Sequence, residues 1–171
     1  MHRSVSITLG LLLGTALGGV AGAGGMLIAY PFLFPPEPVN QPAPEGLSVL
    51  VRTQLREGSP GQDMVHWGRG GLNVYPQGAG SVLLEFAEDF EVGPGPNFWI
   101  YLNRTAGIET EADFLADAGR MRLAKLKSFQ GAQVYPAPLE AFAQARAVTI
   151  WCESFGEYIA SADLPQAEPE R

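Results

Sequence analysis

The chain contains one cysteine and two histidines among its 171 residues. With a single cysteine there is no intramolecular disulfide, no Cys-x-x-Cys redox pair and no Cys-x-x-Cys-His haem attachment site. There is no Gly-rich phosphate loop and no Rossmann fingerprint, so nucleotide chemistry has no support. One histidine, His2, lies at the extreme N-terminus. A Ser-His-Asp triad would have to be built on the other, His66, and no nucleophile elbow accompanies it. Positive charge is scarce: eighteen Asp and Glu stand against eleven Lys and Arg, a net charge of −7. An acidic chain is a poor partner for nucleic acid or anionic lipid surfaces.

Charge is missing altogether from Ser4 to Phe34. About 20 apolar residues cross the roughly 30 Å hydrocarbon core of a bilayer, so residues 1–34 read as an N-terminal transmembrane helix. Arg3 precedes the run and Glu37 follows it. By the positive-inside rule the rest of the chain lies outside the cytoplasm, periplasmic or extracellular, on a single-pass anchor in the cell membrane. Tyr30, Phe32 and Phe34 suit an interfacial belt, and Pro31 is expected to end the helix. A cleaved signal peptide is the rival, with Ala21-Gly22-Ala23 as the small-residue site. We read an uncleaved anchor because the apolar run continues through Met26-Leu27-Ile28. Gly10, Gly14, Gly18 and Gly22 recur every four residues and mark a face for helix self-association.

Residues 35–46 are Pro-rich and read as a semi-rigid spacer holding a domain off the membrane. Residues 166–171 read as a disordered polar tail. Residues 47–165 remain, enough for one domain with one core. Their periodicity is mostly two. Val82, Leu84 and Phe86 alternate with Leu83 and Glu85. Phe98, Ile100 and Leu102, then Val148 and Ile150, repeat the pattern. Weaker strand candidates are 48–55, 64–68, 72–75 and 132–135, separated by Gly- and Pro-rich turns. The pattern predicts an all-β fold, a single sandwich or barrel-like domain. One short helix is expected over 112–118, capped by Thr110 and Asp113 and ended by Gly119.

Alternation places Cys152 on the face of Val148 and Ile150, away from Trp151 and Glu153. An inward thiol without nearby cations has a raised pKa and low nucleophilicity. Glu85, Glu88, Asp89 and Glu91 carry enough oxygens for a divalent cation. They lack an EF-hand or RTX-type pattern and read as a solvated acidic loop. Arg120, Arg122, Lys125 and Lys127 read as a solvated strand face able to meet an acidic partner.

Three ordered segments resemble the DM13 domain family. They are Gly95-Pro96-Asn97-Phe98-Trp99-Ile100-Tyr101-Leu102, then Leu123 to Lys127 with Gly131 to Pro136, and Val148 to Cys152 followed by Phe155 and Ala162-Asp163-Leu164. Val65-His66-Trp67-Gly68 is similar to the family's early region. The resemblance spans about Leu55 to Leu164. It departs at Asn97, where an acidic residue is usual. It implies an all-β extracytoplasmic module with a role in electron transfer. That role centres on the cysteine of the last strand, as a bare thiol or as a ligand to a prosthetic group such as haem. The cysteine corresponds to Cys152. Should iron be bound, His66 is the only imidazole available to join it, with Met64 and Met121 as weaker candidates that read as core filler. Trp99, Tyr101, Trp151 and Tyr135 read as core aromatics able to wall a flat cofactor or relay electrons. The partners expected are a membrane, a redox protein and a second copy of the chain. The alternative is a non-catalytic envelope module with a structural, buried Cys152.

Overall fold

The computed structural model describes residues 2–165. The tail expected over 166–171 lies outside the described residues. The first element, α1 (His2–Leu33), contains a 24-residue stretch, Gly10–Leu33, long and apolar enough to cross a membrane. A signal sequence satisfies the same test. The helix does not stop at Pro31 but runs two residues past it. A proline in the last turn removes a single intrahelical bond, and here the ring is buried against the β domain.

The strands are β1 (Val51–Gln54), β2 (Gly68–Arg69), β3 (Gly71–Gln77), β4 (Ser81–Phe86), β5 (Glu91–Val92) and β6 (Phe98–Asn103). After helix α2 (Glu111–Ala116) come β7 (Met121–Lys125) and β8 (Gln133–Pro138). A short α3 (Leu139–Ala143) leads to β9 (Ala147–Cys152) and β10 (Glu157–Asp163). They form two antiparallel four-stranded sheets, β1-β3-β4-β8 and β10-β9-β6-β7, with a small β2-β5 ribbon. The architecture is a sandwich without barrel closure.

Strand alternation builds the core. Leu72, Val74, Leu84, Phe86 and Tyr135 of the first sheet meet Ile100, Leu102, Val148 and Ile150 of the second. The outer face of the second sheet is also buried. The segment between β6 and β7 folds over it, stacking Phe114 of α2 on Trp151 at 4.0 Å between centroids and 16° between planes. Tyr101 meets Phe114 edge-on at 5.0 Å. β10 carries a bulge between Tyr158 and Ala160. The extra residue lets Tyr158 serve the outer layer while Ile159 and Ala160 serve the core.

Three expectations need correction, and one strand was not anticipated. The 64–68 segment is a loop, and only Gly68 enters a strand. The α2 helix ends at Ala116, before Gly119, because the Asp117 carboxylate turns aside to Asn103 Nδ2, the Arg104 N–H and the Gly119 N–H. The strand Glu157–Asp163 went unread: its Gly-Glu start and small residues carry little alternation. The Pro-rich segment does not stand free as a spacer. Its Val39 and Gln41 N–H groups bond the Gln130 and Ala132 carbonyls at 3.3 and 2.7 Å, and the Ala43 N–H bonds Glu85 at 2.6 Å. Backbone donors left unpaired by proline-rich sequence find partners on the sheet edge.

Phe86 is fully buried between Phe90, at 4.5 Å, and Tyr135, at 6.0 Å. Phe86→Ala is expected to cost about 3–5 kcal/mol. Urea unfolding followed by tryptophan fluorescence should show the midpoint fall with the slope unchanged.

Candidate functional site

Cys152 ends β9 on its inner face, beside Val148 and Ile150, with Trp151 on the outer face. Across the ladder it faces Phe98. The residue is 1 % exposed. Its S–H donates to the Pro96 carbonyl at 3.2 Å. The turn before β6 holds that carbonyl in place. Asn97 takes φ 64, a left-handed conformation that asparagine tolerates better than most residues. Its side-chain oxygen accepts from Trp99 Nε1 at 2.9 Å, and its carbonyl accepts from the Glu153 N–H at 3.2 Å. The departure from the family pattern at this position is thus a turn residue with two structural bonds.

Beyond Cys152 the chain turns back through Gly156, at φ +71, whose N–H bonds the Cys152 carbonyl at 2.9 Å. Burial pushes the Cys152 thiol up. The backbone N–H groups of Phe155 and Ser154 pull it back in part, and the Glu157 and Glu153 carboxylates raise it further. The net direction is up, so the sulfur is a protonated thiol at neutral pH.

His66 reaches the same place from a loop. Asp63 Oδ1 accepts from the N–H groups of Val65 and His66 at 2.7 and 2.6 Å, and Oδ2 lies 3.0 Å from His66 Nδ1. The backbone bond from His66 leads the effects that hold the Asp63 carboxyl down to about 2. A carboxylate on Nδ1 keeps the imidazole proton there and leaves Nε2 as the available nitrogen. Gly93 seats the loop: a Cβ there would lie 2.1 Å from the Val65 carbonyl oxygen.

Cys152 and His66 line one cleft of about 380 Å³. Its other walls include Ile28 and Phe32 of α1, Pro96, and Glu157 at the start of β10. The structure therefore brings together the two site residues read from sequence. It adds three contributions that sequence reasoning missed. Asp63 was detectable as an Asp-x-x-His spacing, which suits a side chain folding back on its own loop. Glu157 had no signal. Ile28 and Phe32 read only as anchor.

The other candidates disperse. Met64 is 95 % exposed and Met121 lies on the edge strand, so neither fills the core or joins the cleft. Tyr135 sits in the opposite sheet from Trp99, Tyr101 and Trp151. Trp99 lies under the Arg122 guanidinium at 4.4 Å. Tyr101 donates to Glu153, and burial together with that carboxylate pushes its phenol up to about 12. In the acidic group, burial raises Glu85, but bonds from Ala43, Asn73 and Tyr75 outweigh it and hold its carboxyl low. Asp89 caps the Gly71 N–H and Glu91 pairs with Arg69. No cluster of three or more metal-binding side chains occurs among the described residues.

An all-β sandwich whose penultimate strand delivers a lone cysteine to a cleft defines the class of module. The chain belongs to the DM13 family: the family model described as electron transfer DM13 matches residues 61–164, more than half of the chain. No curated protein and no solved structure matches it.

Two outcomes are expected. A thiol reagent should modify native Cys152 more slowly than the urea-unfolded chain at pH 7, with the gap narrowing as pH rises past the ordinary thiol range. The Asp63 carboxyl should titrate near pH 2 in carbon-13 NMR. Because its folded value lies below 3.8, the order it lends the 63–66 loop is present above that pH and is lost as pH falls through about 2. Gly93→Ala, which displaces the Val65 carbonyl, should return that titration toward 3.8.

Proposed function

We propose that this protein is a membrane-anchored, extracytoplasmic accessory electron-transfer module in which Cys152 is the working atom, as redox thiol or ligand, with His66 as its companion. The observation that carries this reading is the shared cleft: the only cysteine and the one histidine outside the N-terminal segment line it together. Family membership supports the electron-transfer class. Arg3 and the uncharged run after it support an outward-facing domain on α1. Gly10, Gly14, Gly18 and Gly22 leave one face of α1 without side-chain bulk, which favours pairing of anchors.

As a redox thiol, Cys152 loses its proton to solvent and attacks a disulfide on a partner protein. A new S–S bond joins Cys152 to one partner sulfur, and the other leaves as thiolate. As a ligand, Cys152 belongs with haem, which accepts thiolate and imidazole, and the donor types in the cleft fit it in kind. His66 would bind through Nε2, held in orientation by Asp63. Cys152 would bind through Sγ, with the Phe155 and Ser154 N–H groups supporting the thiolate. Such a group, when bound, supplies one-electron redox chemistry.

A second reading has its own observation. A sulfur 1 % exposed, apolar on its own face and already donating to Pro96, is what a structural cysteine looks like. The protein is then a non-catalytic envelope binding module. The same burial disfavours a Cys152-linked dimer.

The deciding measurement is the absorption spectrum of the purified full chain, as isolated and after haem addition, beside Cys152→Ser. The ligand form predicts a Soret band that shifts or disappears in the variant. A bare protein spectrum throughout removes haem. If Cys152→Ser, still folded, then supports electron delivery in the cell as well as the native chain, the redox reading fails.

A further inference from the structure

We propose that the cleft beside Cys152 receives the head group of a membrane-dissolved quinol, held by His66 Nε2 and the Glu157 carboxylate. This rests on the reading of the cleft as the working site and names the class of molecule that enters it.

Location is the first argument. One wall is Ile28 and Phe32, one turn apart on α1. Both fall inside the 24-residue apolar stretch that ends at Leu33. At 1.5 Å per residue, Ile28 lies about 7.5 Å below that end. With α1 across a bilayer, the cleft opens where acyl chains meet head groups. Ile28 is 52 % and Phe32 47 % exposed, so the wall is not sealed by the domain. A ligand arriving there comes laterally out of lipid, and its tail can stay in lipid.

Charge is the second argument. The titratable groups facing the cleft are Glu157, Cys152 and His66, with Asp63 behind the imidazole; Glu153, the next residue after the cysteine, lies outside the lining and pairs with Arg122. No Lys or Arg lines it among the described residues. Phospholipid phosphates and fatty-acid carboxylates would meet negative charge without compensation, which excludes anionic head groups. An occupant that stays dissolved in lipid and brings only hydrogen-bond donors meets both this charge and this location.

Complementarity is the third. In the tautomer whose Nδ1–H donates to Asp63 Oδ2, His66 Nε2 is an acceptor. The Glu157 carboxylate is an acceptor only, and no ion pair engages it among the described residues. Two acceptors call for a ligand with two donors. A benzoquinol is a flat apolar ring with two O–H donors and an apolar tail, and about 380 Å³ lies in the range of small-ligand sites. Pro96 and Phe98 supply the flat apolar surfaces.

The test is calorimetric titration of the full chain in phosphatidylcholine nanodiscs, without oxygen, with a decyl-substituted benzoquinol. The comparison ligand is its dimethyl ether, which keeps ring and tail but has no O–H. The quinol should bind about ten-fold more tightly than the ether, and Glu157→Gln should erase most of that difference. His66→Ala should do the same. Equal affinity for quinol and ether overturns the proposal, and this comparison needs no variant to fold. Haem on His66 in the chain as isolated also overturns it, since iron would claim Nε2, while leaving the electron-transfer reading intact. Conversely, Cys152→Ser that binds quinol normally but retains full electron delivery sinks the redox role of the cysteine and leaves the quinol site standing.

Discussion

The structure depends on strand β9 being buried on both of its faces. Most strands in a small sandwich bury one face and wet the other. Here the inner face packs into the sandwich core, and the outer face lies under Phe114 and Ile108 of the β6–β7 segment, flanked by Tyr101 and Tyr158 of the neighbouring strands. A strand gripped on both sides cannot slip in register, because a one-residue shift would exchange Trp151 for Cys152 between two filled compartments. That grip fixes the position of the sulfur at the strand's end. Pro96, Phe98 and the turn to β10 are then arranged around a point that does not move.

Electrostatics around that point run in two directions at once. Burial and two carboxylates keep the thiol protonated, while two backbone N–H groups stand ready for negative charge on sulfur. Across the cleft, the Asp63 carboxylate is held ionised by its own loop and orients an imidazole. The sulfur is poised in its protonated form, so whatever engages it must supply the driving force for deprotonation or meet the thiol as it is.

The sequence made much of this legible, and for physical reasons. Period-two alternation showed the inward set of β4, β6 and β9 because each has one continuous apolar face. The inward placement of Cys152 followed from the same parity. Scarcity did the rest, since with one cysteine and one histidine in the folded part there was little to choose from. What stayed hidden was tertiary. β10 alternates poorly because its bulge shifts the face midway and both sides are buried. Glu157 acquires meaning only when the β9–β10 turn returns it beside the cysteine. Ile28 and Phe32 satisfy the composition of a membrane span equally well whether they face lipid alone or also wall a cleft. Met64 had no pattern to show that its loop turns the side chain to solvent.

The bonds from Val39 and Gln41 to the sheet edge, together with the buried ring of Pro31, lash the sandwich to the end of α1. With α1 in a bilayer, the domain rides at a fixed height and tilt instead of sweeping a hemisphere on a tether. Its encounters become a two-dimensional search. What governs how often it meets a partner is then surface density in the membrane and rotation about the bilayer normal, not concentration in the surrounding fluid.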